Sequence, residues 1–228
     1  MIQASNIALL SPAEAAQRLG ITPRRVYALV RANRLRAQRI GGRLLINRDD
    51  VDARVAGAPA VGRPFSPRRA WALLLLAVGE NPRGIDASTK SRLRRLLRDR
   101  DLWSMRGKLV DRAERRDLRA HSSDIAKIDA EPGVVRTGAR CAAEAGIGLV
   151  APDATLELYV DDATADRLIE RFRLTPSPRP NVVLRVVSDE VRAWLHGPLA
   201  PRPAIALDLA DDPDSRAQDM ARAALSRP

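Results

Sequence analysis

Residues 11–55 read SPAEAAQRLGITPRRVYALVRANRLRAQRIGGRLLINRDDVDARV, and this stretch decides how the chain is built. Ser11 is a strong helix N-cap. Glu14 stands three residues on, where its carboxylate can reach back to the Ser11 amide in a capping box. Ala15, Ala16 and Leu19 recur at helical spacing. Gly20 closes that helix, since glycine takes the left-handed conformation without a Cβ penalty. Thr22 caps a second helix, and Pro23 fills its first position, where a missing N–H is no loss. Along this helix Val26, Leu29 and Val30 face inward, Arg24, Arg25, Ala28 and Arg31 face outward, and Tyr27 stands at the boundary. Ala37–Ile40 and Leu44–Ile46 flank Gly41-Gly42-Arg43, which predicts a tight hairpin carrying Arg39 and Arg43. Asn47 then caps a helix holding Val51 and Val55.

Two short helices joined by a glycine turn, the second cationic on its outer face, form the helix-turn-helix pattern. A second helix of this kind lies in the DNA major groove with its N-terminal residues nearest the base edges. The expected DNA-binding residues are therefore Thr22, Arg24, Arg25, Tyr27 and Arg31 on the reading helix. Arg39 and Arg43 on the hairpin would meet phosphate or the minor groove. Thr22 would bond a phosphate at the helix N-terminus, where amides and dipole favour an anion. A plain helical cap with a solvated arginine face is the competing reading, and Thr-Pro-Arg-Arg at a helix start weighs against it. The runs EAAQRLGITPRRVYALV and RIGGRLLINRDDVDARV resemble the excisionase and MerR-like winged helix-turn-helix modules. That likeness covers roughly the first quarter of the chain.

Charge supports a polyanion partner at the front only. Met1–Ala70 holds 13 basic and 4 acidic residues, Trp71–His121 holds 13 and 7, and Ser122–Pro228 holds 13 and 17. The excess over the first two segments is nearly all arginine, whose planar fork suits phosphate oxygens and guanine edges. Aromatic residues make up 3% of the chain, so its core must rest on Leu, Val, Ile and Ala. Cys141 is the only cysteine, which excludes an internal disulfide and a Cys-based zinc site and points to a reducing compartment. No secretory signal is legible, and the longest apolar run, Ala70–Val78, is far short of the ~20 residues that cross a bilayer. The expectation is a cytoplasmic, nucleoid-associated protein with no membrane contact.

Proline and glycine in AGAPAVGRPFSP, residues 56–67, mark a linker. The expected organisation is α+β. A winged helix-turn-helix domain spans 1–56, a linker 57–70, a basic helical segment 71–120 and a mixed α/β domain 121–228. Within the segment, Ser88 would cap a helix with Leu93, Leu96 and Leu97 inward and Arg92, Arg94, Arg95 and Arg98 outward, and a further helix would cover Leu102–Arg115. Those arginines suit phosphates, or else form a solvated face. Beyond it, expected helices are Ser123–Ala130, Thr137–Ala145, Asp161–Phe172 and Asp214–Leu225. Expected strands are Gly133–Arg136, Thr155–Val160 and Asn181–Val187, the last a β-branched run. Pro203–Ala210 reads as strand or helix, since an apolar run alone does not decide.

Three pieces of the second half carry another resemblance: RDLRAHSSDIAKI with VVRTG and Ala142-Ala143, then NVVLRVV, then AIALDLADDPDSRAQDMARAAL. Together they look like the actinobacterial AbiEi-like and MenA-like antitoxins paired with nucleotidyltransferase-like toxins. The resemblance implies a DNA-binding head joined to a toxin-neutralising α/β domain, autoregulation of an operon, and a cognate toxin as partner. A homodimer fits as well, since two half-sites one helical turn apart normally need two copies. The alternative is an excisionase-like or plain transcriptional regulator without a toxin partner.

No catalytic set, cofactor site or metal site is expected. Asp208, Asp211, Asp212 and Asp214 could hold a divalent cation. However, no Gly-Ser phosphate-gripping turn precedes paired carboxylates, and an acidic turn capping the last helix explains them better. His121 and His196 lack partners at triad or ligand spacing. Gly146-Ile147-Gly148 reads as a turn, lacking the third glycine of a dinucleotide site. Cys141, among alanines, reads as a small core residue. An enzyme acting on nucleic acid, tethered by the head, stays open as a third reading.

Overall fold

The computed structural model describes residues 9–31, 35, 37–56, 64–212 and 214–226, without the side chains of residues 39, 40, 49, 53, 55 and 56. The fold is α+β and divides into two compact units, Met1–Val61 and Gly62–Pro228.

In the first unit, β1 (Leu9–Leu10) leads into α1 (Pro12–Leu19) and α2 (Pro23–Arg31). A hairpin of β2 (Ala37–Ile40) and β3 (Arg43–Asn47) follows, and α3 (Arg48–Ala56) closes the unit. The capping box forms in both directions. The Ser11 amide donates to Glu14 Oε2 at 2.7 Å, and Ser11 Oγ accepts from the Glu14 amide at 3.2 Å. Gly20 ends α1 in the left-handed conformation, at φ 64°. Ala15, Ala16, Val26, Leu29, Leu35, Ile46 and Val51 make the core, so the inward residues expected on the helices are the buried ones. Val30 is partly buried against them, and the side chain of Val55 lies outside the described residues. β3 is the centre of an antiparallel sheet, order β1-β3-β2. β1 pairs Leu10 with Ile46, a partnership no periodicity could announce in a two-residue strand.

The second unit opens with α4 (Pro67–Ala77), α5 (Ala87–Asp99) and α6 (Leu102–Met105). It continues through β4 (Glu114–Arg119), α7 (Ile125–Asp129), β5 (Val135–Thr137), β6 (Leu156–Val160) and α8 (Asp162–Phe172). β7 (Thr175–Pro176), β8 (Val182–Val186), α9 (Asp189–Arg192), α10 (Arg202–Ala210) and α11 (Ser215–Leu225) complete it. The sheet order is β5-β6-β8-β4-β7, with β6 and β8 parallel and the other pairs antiparallel. Both faces are covered. Leu156, Leu158 and Val160 with Val182, Leu184 and Val186 share a core with Ala165 and Leu168 of α8. Tyr159 and Val187 join Trp71–Leu75 of α4 and Ile205–Leu207 of α10 in the other core. Burial on both sides is why NVVLRVV reads as an almost unbroken apolar run.

Several expectations are corrected. The boundaries expected near residues 70 and 120 both fall inside the second unit, because α4 supplies a fully buried Trp-Ala-Leu-Leu face to the core it shares with α10. The linker expected over 57–70 lies outside the described residues as far as 63. From there Phe65 is buried and α4 already begins at Pro67, so its last part is structured. The cap of α5 is Asp86, whose Oδ1 accepts from the Thr89 amide at 2.8 Å; Ser88 instead donates its hydroxyl to Asp86.

The helix expected over Leu102–Arg115 stops at Met105, and Glu114–Arg119 is a strand paired along β8. Five of its six residues are charged, so only the pairing partner reveals it; tertiary context overrides weak local preference. The helix expected over Thr137–Ala145 is a 3-10 turn at Ala139–Cys141 followed by turns. Gly138 stands at φ 75° and ψ −163°, a conformation open essentially to glycine alone, and breaks it. The ambiguous run at 203–210 is helix α10.

Candidate nucleic-acid interface

The second helix of the first unit is built to present one face outward. Pro23 starts it, and Thr22 Oγ1 accepts from the Arg25 amide at 3.3 Å. Accepting that bond leaves the Thr22 hydroxyl proton for a phosphate oxygen, as a helix N-terminus that receives an anion requires. Val26 and Leu29 are fully or almost fully buried, which holds the helix by one side. On the opposite side Arg24, Tyr27, Ala28 and Arg31 line one shallow concavity. These positions are i, i+3, i+4 and i+7, a single stripe along a helix. Tyr27 is 45% exposed, so it belongs to that stripe rather than to a boundary.

Arg25 is exposed but does not line the concavity. It lies about 100° around the helix from Arg24, so the two arginines do not form a pair on one line. Ala28 is the small residue in the middle of the stripe, between Arg24 and Arg31. Its outward direction is legible in the sequence, but its place as the floor of a concavity is not.

The hairpin turns at Gly41 and Gly42, with φ 55° and 77°. Two successive positive φ values define the type I′ turn that suits the twist of a tight hairpin. Arg43 is exposed beside the turn and pairs across it with Ile40. Arg39 pairs with Leu44 in the backbone register, and its side chain lies outside the described residues. The scaffold is tied from behind. Arg18 at the end of α1 contacts Asp52 of α3 at 2.5 Å, and Arg48 reaches the same carboxylate at 3.3 Å. The hydrogen bond from Arg18 holds the Asp52 carboxyl below its ordinary range.

The second unit buries a charged network in its interior. The acidic cluster expected at 208–214 separates into two parts. Asp214 caps α11, its Oδ1 accepting from the Arg216 amide at 2.9 Å. Asp208 is wholly buried on α10. It accepts from Arg112, from the Thr137 hydroxyl and from the Tyr159 hydroxyl, and lies 3.2 Å from Arg185 Nη1. Arg185 also pairs with Glu157 at 2.7 Å, and Arg112 with the half-exposed Asp211 at 3.0 Å. Burial pushes the Glu157 carboxyl up, against the pull of Arg185. Sequence reasoning misses this network because its charged members, Arg112, Glu157, Arg185, Asp208 and Asp211, stand on separate strands, one helix and two connecting segments, and each reads singly as a surface charge. Among the described residues, no group of His, Cys, Asp and Glu is arranged to hold a metal ion, and no helix is long and apolar enough to cross a membrane.

A glycine-turned helix pair with a cationic, half-open second helix and a basic hairpin is the architecture of a helix-turn-helix DNA-binding domain. Residues 9–58 match the family model of a helix-turn-helix domain, which covers all the described elements of the first unit. Comparison with curated proteins and with solved structures finds no match.

Proposed function

We propose that this chain is a DNA-binding antitoxin that represses its own operon and counteracts a nucleotidyltransferase-like toxin. The observation that carries the DNA-binding part is the stripe of Arg24, Tyr27, Ala28 and Arg31 on a helix whose other side is buried. Arg24 and Arg31 read base edges from the major groove, Tyr27 packs between them, and Thr22 and Arg25 meet phosphates on the flank. Arg39 and Arg43 reach the neighbouring backbone or minor groove. Two copies bind two half-sites, one helical turn apart.

The antitoxin part rests on the likeness of Arg116–Ala143, Asn181–Val187 and Ala204–Leu225 to antitoxins of that kind, and on the acidic excess of the last segment. The second unit is a binding unit and not an enzyme. Its most buried carboxylates, Glu157 and Asp208, are committed to arginine partners, which supports that reading.

The test is an electrophoretic shift on the chain's own upstream DNA. Arg24→Ala should cost about 1–3 kcal/mol of binding if it reads a guanine. Unchanged binding by an Arg24→Ala/Arg31→Ala variant rejects the reading-helix assignment. For the antitoxin part, the neighbouring reading frame is expressed alone and together with this chain. Toxicity relieved by co-expression supports it, and a harmless neighbour leaves an excisionase-like or plain regulator.

A further inference from the structure

We propose that α5, in the second unit, carries an additional contact to duplex DNA, made to phosphates and blind to sequence. Leu93 is fully buried, and Leu96 and Leu97 pack on the same core, so this helix is anchored by one side. The other side holds Arg92, Arg94, Arg95 and Arg98, all exposed. The only acidic residue within α5 is Asp99, at its last position.

What sets this face apart is the density of its unmatched charges. Elsewhere on the unit, exposed or half-exposed arginines are either matched, as Arg68 is with Glu190 at 2.9 Å, Arg115 with Asp117 at 2.7 Å, Arg136 with Glu144 at 3.1 Å and Arg171 with Glu131 at 2.8 Å, or stand far apart in the chain, as Arg83, Arg173, Arg202 and Arg216 do. Arg92, Arg94 and Arg95 make no ion pair or hydrogen bond among the described residues. Like charges three or four positions apart destabilise a helix. Arg95 and Arg98 sit in the last turns, where the helix dipole favours cations. Arg92 and Arg94 lie further from that end and gain less, so an external polyanion is what their placement suits.

The stripe fits phosphates better than a protein. Protein interface centres are depleted of charge and carry aromatic anchors. This face presents guanidinium groups with no large apolar side chain among them. From Arg92 to Arg98 the helix rises ~9 Å, and successive phosphates of one strand advance ~3.4 Å along the duplex, so two or three contacts fit. The proposal rests on the DNA-binding reading of the first unit.

The experiment is fluorescence anisotropy of the full chain on a duplex from its own upstream region and on a scrambled duplex of equal length, from ~50 to ~200 mM KCl, the range over which phosphate contacts are read. The variant is Arg94→Gln/Arg95→Gln, glutamine being a comparable helix former. A charge-matched control is Arg202→Gln/Arg216→Gln, and a tryptophan-fluorescence melt verifies folding of each. The expected result is a salt dependence shallower by about 2 in log–log slope for the α5 variant. Affinity falls by the same factor on both duplexes, and the control keeps the wild-type slope. A wild-type slope in the α5 variant, or an equal loss in the control, overturns this proposal alone. Failure of the wild-type chain to bind either duplex overturns the DNA-binding reading itself. A slope that falls only on the upstream duplex overturns the sequence-blind assignment.

Discussion

Replacing Asp208 by alanine should unfold the second unit at markedly lower temperature while sparing the first. Asp208 is the hub of the buried network. It faces two guanidinium groups, one threonine hydroxyl and one tyrosine hydroxyl, and its side chain has no solvent exposure. Removing it leaves Arg112 with only the half-exposed Asp211 as a charged partner, and Arg185 with Glu157 and a longer 3.7 Å approach to Asp211. Two hydroxyls also lose a buried acceptor. Breaking a buried pair in this way costs about 3–5 kcal/mol, because the remaining charge cannot be rehydrated in place. A domain of this size shifts its Tm by about 2–4 °C per kcal/mol, so the fall should be roughly 6–20 °C. The readout separates the units cleanly, since Trp71, Trp103 and Trp194 all lie in the second one. A thermal melt followed by tryptophan fluorescence therefore reports that unit alone. A Tm within a degree or so of wild type would refute the reasoning: it would mean that water enters the site and solvates the two arginines in the folded state.

Gly138→Ala should also destabilise the second unit. Its backbone conformation costs a residue with a side chain about 1–3 kcal/mol, and the new methyl would come 2.8 Å from the Glu157 carboxylate; the same tryptophan melt, unshifted, would count against it. Ile46→Ala should cost about 2–5 kcal/mol, from a core of seven buried residues. The first unit should then lose its dispersed amide NMR signals while the tryptophan melt stays in place, and retained dispersion would show that the core had refilled the gap. Burial pushes the Cys141 thiol up to about 11, so it stays protonated at pH 8. Alkylation by iodoacetamide should be slow in the native chain and rapid in urea, and prompt stoichiometric labelling of the native chain would contradict the burial.

The first unit is legible almost in full because each of its signals is local. A capping box, a glycine C-cap, a Thr-Pro start and a Gly-Gly turn all act within a few residues, and the inward faces of its helices follow from a 3.6-residue period. Even there, the concavity around Ala28 and the separation of Arg25 from Arg24 needed the helix to be placed on its core. In the second unit, sequence yields the apolar strands β6 and β8 and the helices α5, α8 and α11, whose patterns are strong. It misses β4, which is nearly all charged. It also overextends two helices whose ends are set by contacts distant in the chain.

The local chemistry of the chain by itself determined that a helix-turn-helix head stands in front and that an α+β body follows. Only the tertiary structure decided that Trp71–Ala120 belongs to that body, because a hydrophobic face such as that of α4 declares burial but not its partner. The same holds for Arg112, Glu157, Arg185 and Asp208. A charge reads as surface until the strand and helix that enclose it are brought together, and that depends on pairings between residues up to 96 positions apart.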